Sequence, residues 1–108
     1  MASRKENSFV AQWRIVWMDG YDEDFVDMEE PGHFTFKGKG IGSFQFGSMQ
    51  GEMDCRIDAS RVEFTWSGFC EGDEVSGRGF AEIVSGELCG RLYVHLGDDY
   101  NFRAIKQK

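Results

Sequence analysis

Proline is almost missing from this sequence: Pro31 is the single one in 108 residues. Backbone pairing therefore meets almost no built-in interruption, and turns must be made by other residues. Positive charge is scarce as well, with 12 Lys and Arg against 19 Asp and Glu and a net charge of −7. Phosphate backbones are gripped by clustered cations that release counterions. Nucleic acid and anionic membrane surfaces are accordingly not expected as partners. Cysteine is limited to Cys55, Cys70 and Cys89, an odd number without C-x-x-C spacing. Free thiols in a reducing cytoplasm are the simplest expectation. Long hydrophobic runs are lacking too. The first apolar stretch, FVAQWRIVWM (9–18), is broken by Gln12 and Arg14, so neither a secretory signal nor a membrane-spanning helix is expected. The length suits one domain with one core, residues 1–108.

What the chain has instead is glycine, 14 residues, and aromatics, 15% of the total. Many glycines without a fixed repeat point to tight turns and close contacts. Apolar and polar residues alternate with period two, the mark of a half-buried strand. In FVAQWRIVWMD, Phe9, Ala11, Trp13, Ile15 and Trp17 share one face. Gln12 and Arg14 lie on the other, whose polarity is interrupted by Val10, Val16 and Met18.

Turn chemistry then predicts the pairing. Gly47-Ser48 fits a two-residue type II′ hairpin that sets Phe46 opposite Met49 and Phe44 opposite Gly51. Gly38-Lys39-Gly40 fits a three-residue loop that sets Phe36 opposite Gly42 and Phe34 opposite Phe44. DASR (58–61) sets Ile57 opposite Val62. EGDE (71–74), as a four-residue turn, sets Trp66 opposite Gly79 and Phe64 opposite Ala81. Ser85-Gly86 puts Ile83 and Leu88 on one face, and GDD (97–99) sets Leu96 opposite Tyr100. One face stays apolar through these registers, with large residues repeatedly facing small ones.

The expected strands run roughly over 9–18, 32–37, 41–46, 49–57, 62–70, 75–84, 87–96 and 100–106. The expected fold is all-β, a small eight-stranded antiparallel up-and-down barrel closed by pairing the last strand to the first. The alternative is an open bent sheet that dimerises over its apolar face. The long acidic connection GYDEDFVDMEEPG (20–32) predicts a short helical turn near 22–30, laid across one barrel end and stopped by Pro31.

Few motifs suggest chemistry. GKGIG (38–42) has the glycines of a phosphate loop, but a strand comes after it where a helix N-terminus is needed, so it reads as a hairpin tip. Glu71, Asp73 and Glu74 crowd one turn, where like charges raise carboxylate pKa values or hold a hard cation. The turn lacks the register of a calcium loop and reads more simply as wet. His95 points outward beside Asp98 and Asp99 without a nucleophile. His33, His95 and the scattered cysteines have no metal-ligand spacing. Cys55 reads inward, Cys70 sits at a strand end and Cys89 reads outward, with no base in sight. No catalytic residue, metal or cofactor is assigned.

Trp13, Trp17, Phe36, Phe46, Phe64, Trp66 and Phe102 all read inward. A barrel of this size is either filled by its side chains or keeps room for one small ligand. An apolar or aromatic molecule stacked on Trp17, Trp66 and Phe36 near one end is the binding expectation, and a simply packed core is the other reading. Val10, Val16, Phe80, Tyr93 and Ile105 read outward on strands that closure makes near neighbours, an expected homodimer interface. A non-catalytic binding or interaction module is therefore the expected function. A small enzyme using the acidic turn or His95, and a structural homodimer without a ligand, are the alternatives.

The segments FTWSGFCEGDEVSGRGFAEI and GELCGRLYVHLGDDYNFRA resemble a family of short uncharacterised bacterial proteins. The shared pattern is F-x-W-x-G, an acidic turn, G-R-G-x-A-E, then H-x-G-D-x-x-x-F-x-A. Here it falls on Phe64, Trp66, Gly68, Glu71 to Glu74, Gly77 to Glu82, His95, Gly97, Asp98, Phe102 and Ala104. The likeness runs from Trp13 onward and implies no activity. In fold the chain is similar to lipocalin- and avidin-type barrels. It lacks the lipocalin G-x-W opening motif, so that similarity implies no ligand type.

Overall fold

In the computed structural model, which describes residues 8–28, 30–58 and 60–107, the alternating segments become eight strands: β1 (Ala11–Met18), β2 (His33–Gly38), β3 (Ile41–Phe46), β4 (Met49–Asp58), β5 (Arg61–Cys70), β6 (Asp73–Val84), β7 (Glu87–Val94) and β8 (Asp99–Lys106). Each pairs antiparallel with its sequence neighbour, and β8 returns to β1 to close a barrel. The pairs Trp13 with Lys106, Arg14 with Ile105 and Ile15 with Ala104 make that seam, so the open-sheet alternative is overturned. Closure leaves no strand edge to pair with another chain. Among the described residues no helix is long and apolar enough to cross a membrane.

The expected registers hold across β2 to β5: Phe34 with Phe44, Phe36 with Gly42, Phe44 with Gly51, Phe46 with Met49, and Ile57 with Val62. Two later ones are corrected. The turn after β5 is tighter than four residues. Cys70 pairs with Asp73, and Glu71 and Gly72 take φ of +53° and +88°, the two left-handed residues of a type I′ turn. Trp66 therefore faces Gly77 and Phe64 faces Gly79, two residues from the expected partners. A shift of two leaves every side chain on its expected face, which is why alternation alone does not detect it. At the other site β7 ends at Val94, where a turn forms through Gly97 N–H donating to the Val94 carbonyl at 2.9 Å. Leu96 takes φ of +60° and is 96% exposed rather than facing Tyr100, which pairs with Leu92.

β1 carries the third correction. Its pairing with β8 slips between Ile15 and Trp17, a bulge that puts an extra residue in one strand and re-aims the side chains beyond it. Ile15 and Met18 are buried, while Val16 and Trp17 are 43% and 48% exposed. Trp17 therefore lies outside the barrel and Met18 inside it, the reverse of the strict alternation.

The interior is packed with rings. Phe34 stacks on Phe102 with centroids 4.2 Å apart, and Trp66 meets Phe44 edge-on at 5.0 Å. Large rings face glycine across the ladder: Phe44 with Gly51, Phe64 with Gly79 and Phe102 with Gly90. Sheet curvature and ring volume are accommodated together in that way. Among the described residues no polar or charged residue is buried.

Aromatic residues pack at both ends. At one end the expected helical turn forms as α1 (Glu23–Val26), with the Asp22 side chain accepting from the Phe25 N–H at 2.9 Å as an N-cap. Phe25 stacks on Tyr21 at 4.6 Å, and Tyr21 packs on Tyr100 at 4.9 Å and Phe46 at 5.9 Å. The Gly47 N–H donates to the Val26 carbonyl at 3.0 Å, tying α1 to the β3–β4 turn. At the other end Phe9 meets Phe36 edge-on at 6.2 Å and accepts at its carbonyl from the Trp13 indole N–H at 3.0 Å.

Candidate functional site

The functional question turns on which surfaces remain open once the barrel is filled. Six of the seven expected ligand-binding residues, Trp13, Phe36, Phe46, Phe64, Trp66 and Phe102, are brought together in the core at 4% exposure or less. Their rings pack within that core, and both buried indoles are satisfied, Trp66 by donating to the Tyr93 carbonyl at 3.2 Å. Trp17, the seventh, is on the outside.

An open site lies on the outer wall instead. Along one inward row of the ladder stand Phe44, Gly51, Gly68 and Val75. Gly51 faces Gly68, and a Cβ on Gly68 would stand 1.8 Å from the Gln50 carbonyl oxygen and 2.6 Å from the Gly51 Cα. Only glycine permits so close a backbone approach. Over this row lies a crease of about 700 Å³, lined by Phe44 and Val75 and floored by backbone at Gly51 and Gly68.

The rows on either side form its banks. One runs His33, Gln45, Gln50, Phe69, Glu74 across β2 to β6, and the other runs Thr35, Ser43, Glu52, Ser67, Ser76 across the same strands. Consecutive members are cross-strand neighbours whose side chains share a face. His33 is tied down, with Glu30 at 3.0 Å and Thr35 at 3.1 Å. Among the described residues the side chains of Ser43, Gln45, Gln50, Glu52, Ser67, Glu74 and Ser76 have no hydrogen bond or ion pair within the protein. The Phe69 ring stands among them at 48% exposure.

The outer face of β7 and β8 is different in kind, because its arginines and carboxylates are paired with one another. Arg91 holds Asp99 at 2.7 Å and donates to Asn101 at 3.0 Å, and Arg103 meets Glu87 at 3.3 Å. The Arg61 guanidinium lies 3.9 Å over the Phe80 ring and that of Arg78 lies 4.8 Å over Tyr93, cation–π contacts that cover both rings. The expected homodimer interface is thus not contiguous. Phe80 and Tyr93 sit beneath guanidinium groups, Val16 and Ile105 are exposed at the β1–β8 seam, and Val10 lines a hollow of about 180 Å³ at a barrel end with Phe36, Ile41 and Cys55.

The residues weighed for catalysis are also dispersed. Glu71 is at the tip of its turn, Asp73 is exposed opposite Cys70, and Glu74 belongs to the groove. His95 is exposed, and among the described residues it is anchored through its backbone N–H, which donates to the Ser76 carbonyl at 2.7 Å. Among the described residues no three of His, Cys, Asp and Glu are grouped to hold a metal ion. Burial, and then the nearby Asp54 charge, push the Cys55 thiol up to about 11, so it stays protonated and unreactive near neutrality.

Gln45, Gln50, Glu52, Ser67 and Phe69 were not singled out from the sequence. The signal that marks them is compositional: the outward positions of β3 and of the second half of β5 are largely uncharged and polar, whereas those of β6 to β8 carry arginine and carboxylate. Its meaning emerges only when Gly51 and Gly68 are seen to pair. No protein-family profile matches the chain, and no curated protein or solved structure matches it either.

Proposed function

We propose that this protein is a non-catalytic binding module whose site is the outer crease over Gly51 and Gly68, and whose ligand is polar and not anionic. The observation that carries the reading is the contrast between two walls of one barrel. On β7 and β8 Arg91, Asp99, Asn101, Arg103 and Glu87 satisfy one another; across β3 to β6 amides, hydroxyls and two carboxylates gather around a groove without protein partners among the described residues. Polar groups set in a concavity and left open for hydrogen bonding are how a site fixes and selects a ligand. Glu52 and Glu74, together with the net charge of −7, disfavour anions. Dispersal of the acidic turn and of His95 weighs against an enzyme built on them.

The test is an amide ¹H–¹⁵N spectrum of the full chain, titrated with pooled neutral, cationic and anionic fragments. The amides of Gln45, Gln50, Glu52, Ser67, Phe69 and Glu74 should move with a neutral or cationic pool. If the Trp13 and Trp66 indole signals move while the crease stays still, the site belongs inside the barrel and the proposal fails. It fails equally if no pool moves the crease.

A further inference from the structure

Resting on that reading of the crease, we infer that its ligand is a neutral saccharide, with one pyranose ring lying on Phe69 between Gln50 and Glu74. A closed barrel offers no edge to an extended peptide. Banks made of serine, glutamine and glutamate would leave the polar groups around an apolar molecule unsatisfied, and Phe69 is the one large ring exposed among them. Anions meet Glu52 and Glu74. A neutral, hydroxyl-rich molecule and a cation remain, and the side chains match the two kinds of surface of the first, with Phe69, Gln50 and the serines giving a cation nothing that the two carboxylates do not.

Phe69 pairs across the ladder with Gln50 on β4 and with Glu74 on β6, so an amide and a carboxylate flank the ring on both sides within a strand spacing of about 5 Å. A pyranose presents polarised C–H bonds on its flat face, which suit the negative face of an aromatic ring. Around its rim it presents hydroxyls, each a donor and an acceptor. The Gln50 amide offers both roles and the Glu74 carboxylate accepts, so adjacent rim hydroxyls are satisfied on either side of the stack. Ser67, Ser76 and Glu52 lie one row along the strands, about 7 Å away, and reach a second ring. A groove of about 700 Å³ has room for more than one. Charge plays no part in holding such a ligand, so affinity should be insensitive to salt, unlike capture of a basic segment by the same carboxylates.

The test is saturation-transfer and amide-shift NMR of the full chain with cellotetraose and chitotetraose, with tetralysine as the charged control. Expected are transfer from the Phe69 ring to sugar C–H protons, shifts confined to the crease, and an affinity unchanged between low and high salt. Phe69→Ala should weaken binding about tenfold or more, and Phe69→Trp should retain it. Both variants should keep the near-ultraviolet circular dichroism of the core, since Phe69 lies outside it. If tetralysine moves the crease amides and neither saccharide does, the saccharide inference is overturned while the crease remains a binding site. If a saccharide binds equally well to Phe69→Ala, the stacking is wrong and the inference falls.

Discussion

Gly51 and Gly68 face each other across β4 and β5 with no space for a methyl group on Gly68, whose Cβ would stand 1.8 Å from the Gln50 carbonyl oxygen. The obstacle is backbone, which cannot rotate aside as a side chain does. Gly68→Ala should therefore force the strands apart and destabilise the protein by about 2–3 kcal/mol. Gly72→Ala meets nothing within 4 Å and bears only the strain of φ +88°, which costs about 1 kcal/mol. Urea unfolding of the two variants checks the order. Equal losses would show that the crease is not held by close approach.

Phe34 and Trp17 should behave as opposites although both read inward in the sequence. Phe34 is fully buried and stacks on Phe102, so Phe34→Ala should cost about 3–5 kcal/mol. Trp17 is turned outward by the β1 bulge, and Trp17→Ser should cost less than about 1 kcal/mol. Met18→Ser, at the position the bulge turns inward, should be the more costly of the two neighbouring changes. Unfolding midpoints at constant m-value decide it.

Cys55 should be the last thiol to react. Its pKa in the folded protein is raised from 9.0 to about 11, so at pH 8 alkylation followed by peptide mass spectrometry should label it more slowly than Cys89. The same shift has a stability consequence. The folded state holds the thiol proton more tightly than the unfolded chain, so this contribution is fully present below pH 9 and is lost as pH rises towards 11. The difference in stability between the wild type and Cys55→Ala should shift across that window and be flat below it.

Asp27 latches the chain that crosses the barrel end. One carboxylate oxygen accepts from the Gly32 N–H at 2.8 Å and the other from Arg14 at 3.1 Å. Asp27→Ala leaves the Gly32 donor without its partner, at a cost of about 1–2 kcal/mol. Hydrogen exchange should accelerate at Val26, Gly32 and Gly47, because the Gly47 N–H is tied to Val26. Exchange in β5 to β7 should not change. Uniform acceleration over the whole barrel would mean that α1 is not a separately opening unit.

Much of this protein was legible in its residues because a strand has a period of two. Within β2 to β5 the inward positions are apolar or glycine, and burial keeps that rhythm wherever the ladder is regular. Hairpin glycines set most of the registers, and the acidic connection yielded its short helix. The exceptions have a common cause. A register moved by two residues, as at Glu71, leaves the face of every side chain unchanged and so is silent in the pattern. The bulge at Val16 depends on what β8 presents to β1, which β1 alone does not encode.

The crease belongs to the same class. Gly51 looks like a glycine that makes room for neighbouring rings, and it does: a Cβ there would press on Phe44 and Trp66. Gly68 makes room for backbone instead, which its local sequence does not announce. The residues alone determined which face is greasy and how the chain turns back, because both are written in positions close together. Tertiary structure alone decided that these two glycines meet, that Phe80 and Tyr93 lie under arginines while Phe69 stays bare, and hence where the outer wall is hollowed. Such outcomes depend on pairing between strands, and pairing joins residues that no local pattern connects.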